Sequence, residues 1–332
     1  MSAGHADNRL DSWRTGVLVL VVALLAGFAT ARWLNRPAAE AESVSVSRPL
    51  MGTLVTVSVP VGDRESGARV QRALDEVARV DSLFSWRLPP PEQTPPAERE
   101  RERLAVLELG RQVQVESDGA FDPRLRPLVD AWGFDGGEPA IPPAAVVDDL
   151  VAGLRELGRP RDAAELESRP GILHFGAWAK GYAVDRAVAV LEQAGQPAAL
   201  VTAGGEVRGY GRRWTVGVQD PRIPGALVAR LAPGTLAVAT SGDYEQYFEQ
   251  DGVRYHHLLD PRTGRPAMGC RSVTVLAPTC ARADALATAA FVLGPRAGMD
   301  LIERLADVEG LIIDAAGKRH DSSGLAAYLA DR

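Results

Sequence analysis

Residues 54–84 read LVTVSVPVGDRESGARVQRALDEVARVDSLF, and the change of pattern inside this stretch decides the fold class. Its first six residues, Leu54 to Val59, are rich in β-branched side chains, which is typical of a strand, and Pro60 and Gly62 end that pattern. Apolar residues then recur every three or four positions, which predicts an amphipathic helix. These apolar residues are Val70, Leu74, Val77, Val80 and Phe84. A strand that leads directly into a helix indicates a mixed fold.

The same mixture continues along the rest of the chain. Periodic apolar residues predict further helices, and short β-branched runs predict further strands. The helices are expected at residues 97–109, 146–157 and 183–194, and the strands at 214–218, 235–240 and 272–276. No sustained βαβαβ series is present, so we expect an α+β fold rather than a parallel α/β fold.

Composition bounds the class of protein. The 332 residues are 46% apolar, with 37 Lys plus Arg against 43 Asp plus Glu, for a formal net charge of −6. Such a chain can bury a core, and it carries no basic excess for nucleic acid. Two cysteines cannot build a disulfide scaffold or a four-cysteine zinc site. Because Cys270 and Cys280 flank a predicted strand, we expect both thiols to be unpaired.

The N-terminal region predicts export. Residues 15–31 carry no charge, follow Arg14 and end in Ala29-Thr30-Ala31, a pattern that signal peptidases cut. This segment is therefore a signal peptide or an uncleaved membrane anchor. We expect a cytoplasmic N-terminus at 1–14, the apolar segment at 15–34, a tether at 35–47 and a folded domain at 48–325. The expected location is the inner membrane with a single span and the folded domain in the periplasm, or the periplasm after cleavage.

Two glycine-containing loops could bind an anion. The stretch from Gly176 to Tyr182 contains small residues and leads into a predicted helix, so backbone N–H groups and Lys180 could together face an anion. The alternative is a tight turn with a solvated lysine. Ala203-Gly204-Gly205-Glu206 is a second candidate nest for phosphate oxygens, or a plain turn.

Asp284 and Thr288 are spaced for a shared site. If residues 284–293 are helical, these two side chains lie four positions apart and project to one face. Two oxygen ligands of this kind suit Mg²⁺, which completes its shell with water and phosphate. The alternative is that Asp284 only caps the helix.

The histidine pair at 256 and 257 precedes Asp260 and invites two other interpretations. Adjacent strand residues point to opposite faces, so His256 and His257 are not expected to share a zinc ion, and one of them is expected to be structural. A hydrolase triad of Ser241, His257 and Asp260 has no support in the spacing.

The order and the residues of seven sequence blocks resemble those of the ApbE family, which comprises exported FAD:protein FMN transferases. The blocks are Met51-Gly52-Thr53, Gly119 to Pro123, Ala177 to Asp185, Ala203-Gly204-Gly205, Thr240 to Tyr244, His257 to Pro266 and Ala283 to Thr288. The resemblance covers residues 48–325. It implies an α+β, T-fold-like domain with a flavin-binding cleft.

The resemblance also implies the ligands and their residues. FAD contacts are implied for Met51, Trp86, Ala120, Phe121, Asp122, Lys180 and Leu258. His174 stands where the family usually has an acid that contacts FAD. Mg²⁺ binding is implied for the backbone oxygen of Ala177, for Asp284, and for the region of Ala287 and Thr288.

The implied reaction is attack by a threonine hydroxyl of a partner protein on the FMN-side phosphorus of FAD, which releases AMP. Mg²⁺, Lys180 and Asp284 would stabilise the charge on phosphate, and His257 is the candidate general base because a near-neutral pKa suits proton removal. The expected partner is a membrane redox subunit, and nucleic acid is not expected. Two alternatives are a noncatalytic periplasmic flavin-binding protein and an Mg²⁺-dependent pyrophosphatase that cleaves FAD to FMN and AMP.

Overall fold

The computed structural model describes residues 43–60, 62, 65–85 and 87–330, which form a mixed helix and sheet domain. Its strands are β1 (Ser43–Leu50), β2 (Thr53–Pro60), β3 (Ala199–Ala203), β4 (Glu206–Tyr210), β5 (Val216–Gln219), β6 (Leu227–Leu231), β7 (Ala237–Gly242), β8 (Tyr247–Gln250), β9 (Val253–His256), β10 (Leu259–Asp260), β11 (Arg265–Pro266), β12 (Cys270–Ala277), β13 (Glu309–Asp314) and β14 (Arg319–Asp321). Eight of them form one antiparallel sheet in the order β1-β2-β3-β4-β7-β12-β13-β14. The other six pair as the hairpins β5–β6, β8–β9 and β10–β11.

Four of the helices pack against the strands of this sheet, and the others pack on these helices or at one end of the domain. They are α1 (Ser66–Phe84), α2 (Pro96–Glu116), α3 (Arg126–Ala131), α4 (Ala144–Glu156), α5 (Ala163–Glu167), α6 (Ala179–Gln193), α7 (Cys280–Leu293) and α8 (Pro295–Glu303). Helices α1, α6 and α7 pack side by side, and α7 also lies against β7 and β12. The predicted α+β class is confirmed.

The pattern of residues 54–84 has the expected structural effect. Val55, Val57 and Val59 alternate along β2 and are fully buried, because successive strand residues point to opposite faces of the sheet. The apolar face of α1 contributes Val70 and Leu74 to the same core. Burial of such side chains contributes about 1.5–3 kcal/mol each and fixes the helix against the sheet.

Helix α7 lies in the centre of the core. Ala283, Leu286, Ala287 and Phe291 are fully buried, as expected of a helix that is apolar on all sides. In the part of the chain that the structure describes, the stretch Cys280–Glu303 is also long and apolar enough to cross a membrane, but 61% of its apolar window is buried inside the protein. The stretch, which contains α7 and α8, therefore belongs to the core of the domain.

Two smaller hydrophobic clusters complete the domain. On the opposite face of the sheet, the β5–β6 hairpin packs Val218 and Leu231 against Leu276 of β12. At one end, Trp132 after α3 packs with Val147 of α4 and with the β8–β9 hairpin, where Tyr255 stacks on its ring at 5.8 Å between centroids. This end cluster supports the loop that carries His257.

The observed boundaries differ from the expected ones at both ends. Ser43–Ser47 belong to β1 rather than to a tether, because their valine and serine residues alternate and pair with β2. At the other end, structure continues past residue 325, and Leu329 forms a bridge with Leu231. The apolar segment at residues 15–31 lies outside the described residues. Cys270 and Cys280 are both buried and free, which confirms the expectation for the thiols.

Asp185 of α6 fixes the start of α7. Its carboxylate accepts hydrogen bonds from the N–H groups of Cys280 (2.9 Å) and Ala281 (3.0 Å), and it forms an ion pair with Arg208. These N–H groups have no partner inside their own helix, so a carboxylate from another element satisfies them. Burial raises the pKa of Asp185, and the two backbone hydrogen bonds and Arg208 oppose this increase.

We expect Asp185→Ala to lower the free energy of unfolding by about 3 kcal/mol, because it removes two charge-assisted hydrogen bonds and leaves a partly buried arginine unpaired. Urea denaturation monitored by circular dichroism measures the loss. The control is Asp75→Ala, which breaks a surface ion pair with Arg48 at 2.8 Å and should cost less than about 1 kcal/mol. Equal losses in the two variants would show that Asp185 has no special role in joining the helices.

Candidate active site

The loop before α6 is held in place by a buried tryptophan. The ring of Trp178 packs against Phe121 (5.2 Å between centroids) and Phe175 (5.3 Å), and its Nε1 donates to the Val106 carbonyl at 3.2 Å. Trp178 immediately precedes the helix, so this packing fixes the direction in which α6 begins. Lys180 follows in the first turn, and its position depends on this anchor.

Helices α6 and α7 approach each other closely at Gly181. A Cβ atom at this position would lie 2.4 Å from the Cys280 carbonyl oxygen, a distance that no side chain can occupy. The Gly181 N–H donates to Oδ2 of Asp284 at 3.0 Å, across the two helices. Asp284 is 4% exposed and does not cap its own helix, because Thr279 is the N-cap residue. The contact places Asp284 next to the first turn of α6.

Lys180 lies near acidic groups from β4, from α7 and from the connection between β7 and β8. Its Nζ is 2.6 Å from Oε1 of Glu206, the first residue of β4, which follows the Gly204–Gly205 turn. Burial lowers the pKa of Lys180, but Glu206, Asp284 and Glu245 together raise it well above its ordinary value. Lys180 is therefore a permanent cation in this site.

The same cluster changes the titration of Asp284. Burial raises its pKa well above the usual range, Glu206 raises it further, and Lys180 opposes the increase. A carboxyl group with a raised pKa, beside a fixed cation, is typical of functional sites. The site thus concentrates negative charge around one ammonium group.

The oxygen atoms that face this region suit a hard cation. The Gly181 N–H bonds to Asp284, and no backbone N–H bonds to the Ala177 carbonyl within the described residues. The hydroxyl of Thr288, one turn after Asp284, lies 3.2 Å from Ser241 Oγ. Among described residues no group of three His, Cys, Asp or Glu side chains is arranged for a metal. A cation here would use a few hard oxygens, as Mg²⁺ does with water and phosphate. The chemistry of these donors, a carboxylate, a hydroxyl and a backbone carbonyl, therefore fits Mg²⁺.

The side chain of Ala287 cannot contribute to such a site directly. It is fully buried in the core, between Asp284 and Thr288 on the helix. Its small size lets α7 lie close to its neighbours. Of the four residues with an implied metal role, Ala177, Asp284 and Thr288 present oxygen atoms of suitable kind.

The two histidines have different environments, because β9 ends at His256 and His257 lies just beyond the strand. His256 is buried, its Nε2 lies 2.9 Å from the Ala267 carbonyl, and its Nδ1 accepts from the Leu258 N–H at 3.3 Å. It is the structural histidine of the pair. Leu258 is also buried, and its carbonyl accepts from the Ala267 N–H at 3.0 Å.

His257 is half-buried. Its backbone N–H donates to the Gln246 carbonyl at 3.1 Å, and its ring Nδ1 is 3.3 Å from the same oxygen. Because a carbonyl only accepts, Nδ1 carries the proton in this contact and Nε2 keeps its lone pair. No triad forms with Asp260, whose carboxylate is bound to Arg262 at 2.8 Å.

The expected near-neutral pKa of His257 is wrong. Burial, together with the positive charge of Lys180, lowers the pKa of His257 to about 3. His257 is therefore neutral at physiological pH and is a weak base. It can still accept a hydrogen bond from a hydroxyl group through Nε2.

The residues with an implied FAD contact have different environments. Ala120 and Phe121 are buried in the core, and the Asp122 carboxylate is bound to Gln114 (2.6 Å) and to Arg124 (2.9 and 2.7 Å). Their side chains are thus engaged in contacts within the protein. The backbone N–H and carbonyl groups of this segment are the groups that could contact a ligand. Trp86 lies outside the described residues.

Met51 lies in the turn between β1 and β2, and His174 lies in the segment between α5 and α6. Met51 and Gly52 have positive φ angles of 52° and 72°, as the two central residues of a type I′ hairpin turn require, and the Met51 N–H donates to Asp81 at 2.9 Å. The His174 ring covers Gly176, where a Cβ would lie 2.6 Å from it. Burial lowers the pKa of His174, and Asp135 and Asp130 oppose this.

Two acidic residues of the site were not among the predicted ones. Glu206 was visible in the sequence only as the end of a possible anion nest, and Glu245 carried no signal. One signal in the sequence could have pointed to this cluster. Lys180 and Lys318 are the only lysines among the 37 Lys plus Arg of the chain. A lysine in a chain that otherwise uses arginine suggests a need for a compact cation.

Comparison with known proteins places this geometry in a family. A model described as the ApbE family matches residues 51–312. The FAD:protein FMN transferase of Rhodobacter capsulatus is 35% identical over 87% of this chain, and the chain spans 58% of that relative's length. The FAD:protein FMN transferase of Treponema pallidum is 33% identical, with 94% of each chain covered. The crystal structure of the ApbE protein of Thermotoga maritima superposes with a TM-score of 0.76 at 27% identity, over 87% of this chain and 100% of that one.

We expect His257 to remain neutral above about pH 4, because burial and Lys180 disfavour its protonated form. Its imidazole resonance, assigned by comparison with His257→Asn, should show no titration between pH 5 and 8 in an NMR series. In Lys180→Met the pKa should rise, because a nearby positive charge is removed.

The matched control is Lys318→Met, which removes the other lysine of the chain, an exposed residue, and should leave the His257 resonance unchanged. A midpoint near pH 6.5 in the parental protein would contradict this account of the site.

Proposed function

Because the chain belongs to the ApbE family, we propose that it is an enzyme that transfers FMN from FAD to a threonine hydroxyl of a partner protein and releases AMP. The single observation that carries this proposal is the convergence of Lys180 and Asp284 at the contact between α6 and α7. A fixed cation beside hard oxygen ligands suits the transfer of a phosphorus-containing group.

The reaction needs little covalent chemistry from the protein. The threonine oxygen forms a bond to the FMN-side phosphorus of FAD, the bond from that phosphorus to the bridging oxygen breaks, and AMP leaves with that oxygen. The hydroxyl proton is released to solvent. Lys180 opposes the negative charge on the phosphate oxygens, and neutral His257 can orient the attacking hydroxyl through Nε2.

Mg²⁺ is part of the proposal. Asp284, the Thr288 hydroxyl and the Ala177 carbonyl would hold it, and the bound ion would neutralise phosphate charge. The support is that Asp284 Oδ1 and the Ala177 carbonyl have no hydrogen-bond partner within the described residues. Both are oxygen acceptors available for a cation.

We propose an extracytoplasmic location for the domain. The support is the uncharged segment at residues 15–31, which follows Arg14 and precedes the folded domain. The partner would then be a protein with an exposed threonine outside the cytoplasm, such as a membrane redox subunit.

We expect Asp284→Asn to reduce FMN transfer more than about 100-fold, because it removes the charge that would hold the cation while keeping the size of the side chain. The assay combines the purified domain, FAD, Mg²⁺ and a candidate acceptor protein, and measures covalent flavin fluorescence on the acceptor together with free AMP. Asp300→Asn on α8 is the matched control. Asp300 is exposed, and this substitution removes the same charge as Asp284→Asn.

Three outcomes of this assay separate the candidate activities. AMP with a flavinylated acceptor supports the transferase. AMP and free FMN without labelled protein would identify a pyrophosphatase, and FAD binding without AMP would identify a flavin-binding protein. Transfer at the parental rate by Asp284→Asn in the presence of EDTA would contradict the metal site.

We expect alkaline phosphatase fused after residue 47 to be active in cells, because that enzyme works only outside the cytoplasm and residues 1–47 should export it. Alkaline phosphatase activity on colonies measures this. The control is a fusion that begins at residue 43 and therefore lacks the apolar segment. This control should be inactive. An inactive fusion with the segment present, combined with an active cytoplasmic reporter, would contradict the proposed location.

A further inference from the structure

Glu206 occupies an unusual position for a carboxylate. It is the first residue of β4, pairs with Ala203 across the Gly204–Gly205 turn, and is 1% exposed. One of its oxygens, Oε1, lies 2.6 Å from Lys180 Nζ. Neither the family comparison nor the expected ligand contacts give this residue a role.

The second oxygen of Glu206 makes a glutamate at this position unfavourable for the stability of the fold. Oε2 is buried and has no hydrogen-bond partner among the described residues. A buried charge with one unsatisfied oxygen destabilises a fold compared with a fully bonded group. Stability alone therefore does not explain a glutamate here, and a role in the site does.

The role follows from what Glu206 contacts. Lys180 has no other side-chain hydrogen bond within the described residues, and its long side chain has many rotamers. Without Glu206, its ammonium group could move toward Asp284 or Glu245, both of which attract it. The ion pair with Glu206 selects one position.

The geometry leaves Lys180 able to bind a ligand. An ammonium group has three donors, and Glu206 accepts from one of them. The Lys180 side chain is 22% exposed, so it is also open to the site. Two donors remain for phosphate oxygens at a fixed place.

We propose that Glu206 is the positioning residue of Lys180, which holds the ammonium group where the phosphate of FAD is bound and acts on the reaction only through that lysine. This inference rests on the proposed function for the identity of the ligand. The position of the lysine itself can be measured without any ligand.

The first experiment is a double-mutant cycle. Glu206→Gln keeps the shape of the side chain and removes its charge, and should reduce kcat/KM for FMN transfer by about 10–100-fold, as loss of an orienting partner does. In a Lys180→Met background the same substitution should change the rate less than about 3-fold, because the group that it positions is absent. If the two substitutions lower kcat/KM independently, so that their fold-changes multiply in the double variant, the proposal is overturned.

The second experiment uses the two lysines of the chain. Trace acetylation with acetic anhydride at pH 8, read by peptide mass spectrometry, gives the reactivity of Lys180 relative to that of exposed Lys318 in the same molecule. Lys180 should react slowly in the parental protein, and at least about 10-fold faster in Glu206→Gln, because the ammonium form loses its partner. Glu206→Asp, which keeps the charge on a shorter side chain, should restore part of the protection.

The controls separate the possible failures. Glu249→Gln removes an exposed carboxylate that pairs with Arg254 at 3.0 Å, and should change neither rate nor labelling. Thermal midpoints of all variants within a few degrees of the parent show that the fold is intact. Unchanged Lys180 labelling in Glu206→Gln overturns the positioning role even if FMN transfer is observed. Absence of transfer in the parent, with increased labelling in Glu206→Gln, overturns the proposed function and leaves the positioning of Lys180 supported.

Discussion

The hydrogen bond from the Gly181 N–H to Asp284 is the contact on which the site depends. It forms because α6 and α7 meet where glycine removes the side chain that would collide with the Cys280 carbonyl. The bond satisfies an N–H group in the first turn of α6 that has no partner within its own helix, and it joins the two helices that carry Lys180 and Asp284. Asp185, one turn further along α6, supports the same junction by bonding to the first N–H groups of α7. The site is thus part of the packing of the core.

The electrostatic character of the site follows from this packing. Lys180 faces Glu206, Asp284 and Glu245, so the cluster carries a net charge of −2 when all four groups are ionised. Desolvation makes that excess unfavourable, which is why the pKa values of Asp284 and Glu245 are raised. A divalent cation bound to Asp284 would offset the excess. An anionic ligand would otherwise be repelled, so the charge balance favours binding of phosphate together with a cation.

Sequence patterns predicted the elements better than the chemistry of the site. The period-two and period-three-to-four patterns at residues 54–84 are local, so the strand and helix there could be predicted, as could the free thiols. Small polar residues at Ser43–Ser47 resemble a linker in sequence, and only their pairing with β2 identifies them as a strand. The pKa of His257 depends on burial and on Lys180, which is 77 positions away in sequence, and no local pattern contains that information. The pairing of Glu206 with Lys180 could not be predicted either, because these residues are also distant in sequence and no local pattern links them.

Unlike Lys180, whose side chain is partly exposed, the side chains of Phe121 and Asp122 are buried in the protein. Asp122 is bound to Gln114 and Arg124, and Phe121 packs against Trp178, so the segment from Gly119 to Asp122 is held from inside. Its backbone can then line a cleft without a loss of side-chain entropy when a ligand binds. Trp178 also fixes the start of α6, so the same ring supports both the Gly119–Asp122 segment and Lys180. A substitution that disturbs the packing of Trp178 would therefore move this backbone segment and the ammonium group of Lys180 together.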